Sequence, residues 1–104
     1  MAKILPHKDK QIKIGIVVVD SGQLLICDPC RTTAKTLQYD NLLQDRENAP
    51  NELYMQVNND FGVPGTGVVF NSGRGDGTYE VWATIGPVDG WPRIKSIEMN
   101  LILE

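Results

Sequence analysis

Apolar residues recur with period two along most of this chain, which is the pattern of half-buried strands. In the first such run Ile12, Ile14, Ile16 and Val18 share one face, and Lys13, Gly15, Val17 and Val19 share the other. The run therefore starts half exposed and ends buried on both sides. Residues 23–27 form a second run. Leu53, Met55 and Val57 alternate with Tyr54 and Gln56 to give a third, and residues 66–71 give a fourth. Residues 78–85 alternate most cleanly, with Tyr79, Val81, Ala83 and Ile85 on one face and Thr78, Glu80, Trp82 and Thr84 on the other. The last run, residues 93–103, places Ile97, Met99, Leu101 and Leu103 together. Tyr79, Val81, Ala83 and Ile85 are expected in the core with Ile97, Met99 and Leu101.

Turn chemistry separates these runs. Asp20-Ser21-Gly22 is expected to close a first hairpin between residues 12–19 and 23–27. Gly73, Gly75, Asp76 and Gly77 are expected to close a central one between residues 66–71 and 78–85, because glycine reaches positive φ without strain. Asp28-Pro29 suits a type I turn and ends the second strand. Between residues 32 and 51, Ala34, Leu37, Leu42 and Leu43 form a weak helical stripe, with Thr32 or Thr33 as N-cap and Asn48-Ala49-Pro50-Asn51 as a stop. Residues 61–65 form a Pro/Gly loop, and Asp89-Gly90 marks another turn. About six strands and at most one helix predict a mainly β fold, a single small antiparallel barrel or two-layer sandwich. The whole chain, 1–104, is read as one domain with a loose arm over residues 1–10.

Composition narrows the function classes. A chain of 104 residues that is 41% hydrophobic and 22% charged can bury one globular core. A formal net charge of −3 argues against a dedicated nucleic-acid binder, which needs a basic patch. No apolar run approaches a membrane span, and the N-terminus lacks the apolar stretch of a secretory signal, so the reading is cytoplasmic. The 2 cysteines agree with a reducing compartment.

Two phrases carry a resemblance. Asp20, Gly22, Asp28, Pro29 and Cys30 fit a D-x-G-x-x-x-x-x-D-P-C pattern, and Gly73, Gly75, Asp76, Gly77, Tyr79 and Val81 fit G-x-G-D-G-x-Y-x-V. Together they resemble a family of small bacterial and phage proteins of uncharacterised activity. Where that pattern has Gly before Asp-Pro-Cys and an aromatic after it, this chain has Cys27 and Arg31. The resemblance implies an architecture and a pair of loops, and it carries no activity.

Candidate chemistry is sparse. Cys27 and Cys30 have C-x-x-C spacing, but a zinc site needs two more ligands and the sole histidine, His7, lies in the arm. The pair leaves a strand rather than opening a helix, which argues against a redox dithiol. Ordinary, mostly buried thiols are expected, with no metal and no cofactor. The glycines of residues 73–77 join strand to strand and surround Asp76, so they make a turn rather than a phosphate cradle. Arg74-Gly75-Asp76 spells an adhesion tripeptide, read as coincidence. Trp82 and Trp91 are candidates to pair across a hairpin. Asp28 and Asp76 are expected to accept backbone N–H bonds in their own turns. The leading expectation is a non-enzymatic module that binds a protein or small ligand or assembles with itself, with Asp28, Cys30, Arg74, Asp76 and Trp82 as contact candidates. The alternative is a small hydrolase or metal-dependent enzyme using the loop carboxylates and Cys30. Whether Asp28, Cys30 and Asp76 converge separates the two.

Overall fold

A computed structural model describes residues 8–49 and 51–102. In chain order the elements are β1 (Lys10–Val19), β2 (Gln23–Cys27), α1 (Tyr39–Glu47), β3 (Tyr54–Asn58), β4 (Pro64–Asn71), β5 (Gly77–Val88) and β6 (Trp91–Glu98). Short 3-10 turns at Pro29–Arg31 and Lys35–Leu37 precede α1. The mainly β expectation holds, with six strands and one α-helix among the described residues. The strands form two antiparallel three-stranded sheets, ordered β1-β5-β6 and β2-β4-β3. Neither sheet closes on itself, so there is no barrel among the described residues.

The chain divides into two compact units. A central unit holds Asp20–Asp76, and a terminal unit holds the residues up to Val19 and from Gly77 onward. Both expected hairpins are absent: β1 pairs with β5, and β2 pairs with β4. Alternation sets which face a residue occupies, but it does not choose the partner strand. Here the non-local pairings set Val17 opposite Tyr79 and Leu25 opposite Val69, apolar against apolar. The tight hairpin of the terminal sheet lies elsewhere, between β5 and β6. Val88 pairs with Trp91 around Asp89 (φ 53) and Gly90 (φ 80), and two successive positive φ values are what a two-residue type I′ turn requires.

In the terminal sheet Tyr79 and Ala83 are buried, and Val81 and Ile85 are half-buried, as their alternation predicts. Ile97 does share their face, directly opposite Ala83, yet it is 54% exposed on β6, an outer strand with a neighbour on one side only among the described residues. The expected core position of Ile97 is therefore wrong. Met99 and Leu101 lie beyond the end of β6 and are half-buried. Two bulges interrupt this sheet, between Lys13 and Gly15 of β1 and at Lys95 of β6. The first splits the predicted face of β1: Ile12 opposes Ala83, whereas Ile16 and Val18 oppose Glu80 and Thr78 on the other side. Strand β1 starts at Lys10, and Asp9 beside it binds Lys95, so the end of the expected arm is held. Residues 1–7 and 103 fall outside the described residues.

The central sheet is covered on one face. Leu25, Cys27, Met55, Val57 and Val69 meet Ala34, Leu37 and Leu42 from the 3-10 turns and α1, with Leu37, Leu42, Val57 and Val69 buried. The helix is shorter than the stripe suggested, because two 3-10 turns use the first half of the segment. Its N-cap is Gln38 rather than a threonine; Thr32 instead donates to the Pro29 carbonyl at 3.2 Å. The stop at Asn48 is as expected, with its N–H returning to the Gln44 carbonyl at 3.1 Å.

Candidate functional site: an apolar cleft beside an edge strand

The central unit holds a cleft of about 220 Å³ lined by Ser21, Gln23, Leu24, Leu25, Leu37, Tyr39, Leu42, Leu43 and Val69. The local sequence explains each wall. The Asp28-Pro29 turn breaks the chain away from β2, and the 3-10 turn Lys35–Leu37 brings Leu37 back over the sheet. The 3.6-residue period of α1 then turns Leu42 inward onto Val69, while Tyr39 and Leu43, three residues before and one after, remain at the margin. Tyr39 is 59% exposed and Leu43 37%, so the cleft has an open apolar lip.

Its position relative to β2 follows from the lining. Gln23, Leu24 and Leu25 are consecutive, and successive side chains of a strand point to opposite faces. The lining also takes in Val69 of the central strand β4 with Leu37 and Leu42, so the cleft lies between the α1 layer and the sheet and reaches the margin at β2. Strand β2 is an outer strand of its sheet, so among the described residues this edge carries no further strand. Ser21 closes one end, where its hydroxyl accepts from the Gln23 N–H at 3.3 Å and donates to the Gln23 carbonyl at 3.2 Å.

Arg46 fixes the helix to the sheet. It is buried, and its Nη2 donates to the Glu52 carbonyl at 2.8 Å and to Asn71 Oδ1 at 2.6 Å. These bonds hold the last turn of α1 against the end of β4. Sequence reasoning missed both Arg46 and the cleft. The stripe of Leu37, Leu42 and Leu43 was legible, but a stripe shows which residues turn inward and not whether the layer closes over a strand edge.

The five sequence candidates do not form one site. Asp28 caps the turn Pro29–Arg31: its Oδ1 accepts from the Cys30 N–H at 3.0 Å, as expected for a turn aspartate. That bond, together with the Cys30 thiol donating to the same carboxylate and the nearby Arg31 charge, holds Asp28 below the usual carboxylate range. The same thiol–carboxylate bond pushes Cys30 up, since the neighbouring negative charge disfavours a thiolate. Cys30 is exposed and Cys27 half-buried, which corrects the expectation of two mostly buried thiols. The turn carries position 30 outward, while Cys27 stays on the covered face.

Asp76 lies at the opposite end of β2, with Oδ1 3.9 Å from where a side chain on Gly22 would begin. It makes no bond to the Gly77 or Thr78 N–H among the described residues, contrary to expectation, because its carboxylate turns toward Gly22 instead. The length of β2 separates it from Asp28, about 13 Å at the rise of a strand. Arg74 is exposed at the tip of the loop that Ser72 closes by donating to the Gly75 carbonyl at 2.9 Å. Trp82 belongs to the other unit. It is half-buried on β5 between Lys13 and Glu98, and Trp91 opposes Val88, so the two tryptophans are not a cross-strand pair. Beside Trp82, Lys13 and Glu80 form an ion pair at 2.7 Å. The Lys13 hydrogen bond and charge lower the Glu80 pKa, and the Trp82 indole adds a smaller effect.

Among the described residues no three His, Cys, Asp or Glu side chains gather as metal ligands, and no helix is long and apolar enough to cross a membrane. No protein family, curated protein or solved structure was found to match this chain.

Proposed function

We propose that the protein is a non-enzymatic binding module whose central unit takes an extended polypeptide along the outer edge of β2, with one apolar side chain of that polypeptide seated in the cleft. The observation that carries this reading is a pocket of single-side-chain size beside a strand edge that carries no further strand among the described residues. Sites for drug-sized ligands are about 300–1,000 Å³. A volume of about 220 Å³ suits one leucine- or phenylalanine-sized group instead. An added strand gains main-chain hydrogen bonds from the edge and specificity from a side-chain pocket, and the exposed Tyr39 and Leu43 supply the apolar rim such an anchor needs.

The hydrolase alternative draws no support from the geometry, since Asp28 and Cys30 lie at one end of β2 and Asp76 at the other. Arg74 does not line the cleft and Trp82 belongs to the other unit, so the contact residues of this reading are Gln23, Leu25, Tyr39 and Leu43.

The test is a titration of the full chain with a blocked peptide, acetyl-Thr-Val-Phe-Val-Thr-amide, followed by amide chemical shifts. The expected result is saturable movement of Gln23, Leu25 and Leu43, lost in Leu43→Glu and reduced when the central Phe is replaced by Ala. Movement confined to other residues, or none at millimolar peptide, refutes the reading. Equal binding of free toluene and of the peptide would assign the cleft to a small apolar ligand instead.

A further inference from the structure

We infer that β6 is a self-association edge, through which two copies of this chain pair antiparallel about a two-fold axis to join their terminal sheets into one six-stranded sheet. The inference stands on the terminal unit alone and is independent of the cleft.

Strand β6 is the outer strand of the order β1-β5-β6, and all of Trp91–Glu98 is exposed. Ile94 and Ile97 are each more than half exposed. Unpaired edges of this length are normally blunted by lysine, proline or a bulge. Each of these devices is present here, and none blocks the centre of the strand. Pro92 stands at its beginning, opposite Pro87. Lys95 is turned inward across β5, where its Nζ meets the Asp9 carboxylate at 3.1 Å. Gly86 makes that route possible, because a side chain there would collide with both Asp9 and Lys95. The lysine that would guard the edge is thus paired and directed away from it.

The bulge is what makes the strand complementary to itself. Opposed residues of an antiparallel pair point their side chains to the same face, so a regular strand pairing with its own two-fold copy must match residues an even number apart. Ile94 and Ile97 are three apart and would conflict. With Lys95 as the extra residue, however, Ile94 opposes Ile85 and Ile97 opposes Ala83, positions two apart on β5 and on one face. Setting Ile94 against Ile97 of the second copy is therefore allowed. The same register sets Arg93 against Glu98 of the second copy. These two also share a face, opposite Gly86 and Trp82. The axis repeats each match, giving two isoleucine pairs on one face and two opposite-charge pairs on the other. A partner of unrelated sequence would meet this register only by chance. A second copy meets it by symmetry, as isologous contacts require.

Sedimentation velocity on the full chain, from micromolar to submillimolar concentration, tests this with two charge reversals. Wild type is expected to be a concentration-dependent dimer. Arg93→Glu sets two like-charge pairs in the interface, as does Glu98→Arg, and each should raise the dissociation constant by at least about tenfold. An equimolar mixture of the two variants restores both opposite-charge pairs and should dimerise as a heterodimer. That arm excludes loss of folding as the reason either variant is monomeric. A wild type that stays monomeric throughout, variants that dimerise as wild type does, or a mixture that stays monomeric would each overturn the proposal.

Discussion

The two sheets are alike in size and direction and differ in what covers them. In the central unit one face of β2-β4-β3 lies under two 3-10 turns and α1, and Leu37, Leu42, Val57 and Val69 are buried there. The terminal unit has no helix among its described residues. Val19, Tyr79 and Ala83 are its buried apolar residues, and Ile12, Ile16, Val18, Ile94 and Ile97 remain substantially exposed. The lesson is that strand composition does not set burial. A β-branched residue is buried only where a second layer stands over it or a strand lies on both sides. The covered sheet supplies packing, and the exposed outer strand β6 supplies surface.

The sharpest way to break this comparison is to truncate matched side chains in the two units. Leu42→Ala should cost about 2–5 kcal/mol in denaturant unfolding, the range for a buried leucine. Ile97→Ala in dilute protein should cost under about 1 kcal/mol, since half of that side chain is already in water. Comparable losses at both sites would mean the terminal sheet is covered after all. Next in size is Arg46→Ala, which removes both bonds anchoring α1. We expect a loss of about 1.5–3 kcal/mol, typical of hydrogen bonds from a charged donor. Arg46→Lys should recover little of it, because both bonds leave Nη2, which the planar guanidinium holds in place and the shorter, flexible lysine side chain does not reproduce. Full recovery by lysine would show that charge, not the planar guanidinium, holds the helix.

The smallest effect concerns the exposed turn after β2. Because the folded pKa of Asp28 lies below 3.8, its contribution to stability is present above that pH and lost as pH falls through the folded value. Cys30 has the opposite sign. Its folded pKa lies above 9.0, so its contribution is present below pH 9.0 and lost as pH rises through the folded value. Asp28→Asn removes the carboxylate and should bring the Cys30 thiol down toward 9.0. In a Cys27→Ala background, iodoacetamide should then alkylate Cys30 faster at pH 8 than in the parent chain. Unchanged alkylation would mean that Asp28 binds the Cys30 N–H alone.

Much of the local structure could be read directly. The period-two runs located all six strands, and the alternation of residues 78–85 placed Tyr79 and Ala83 inward. Asp28-Pro29 announced its turn and Asn48 the end of the helix. The errors were in pairing. Asp20-Ser21-Gly22 and the glycines around Asp76 look like hairpin turns, yet they join strands of different sheets. Whether the candidate residues converge was illegible for the same reason: Asp28 and Asp76 lie in turn phrases, but a turn residue's neighbours depend on which strands it connects.

The sequence by itself determined the alternation of β5, the turns at Asp28-Pro29 and Asp89-Gly90 and the end of the helix at Asn48, because φ/ψ preference and side-chain periodicity act over a few residues. Only the tertiary structure decided that β1 joins β5 and β2 joins β4, that Lys95 crosses Gly86 to reach Asp9, and that a cleft opens beside β2. Those outcomes depend on which distant segments meet, and the free energy separating one strand partner from another is spread over many side-chain pairs worth about 0.2–1 kcal/mol each. No local pattern records that sum.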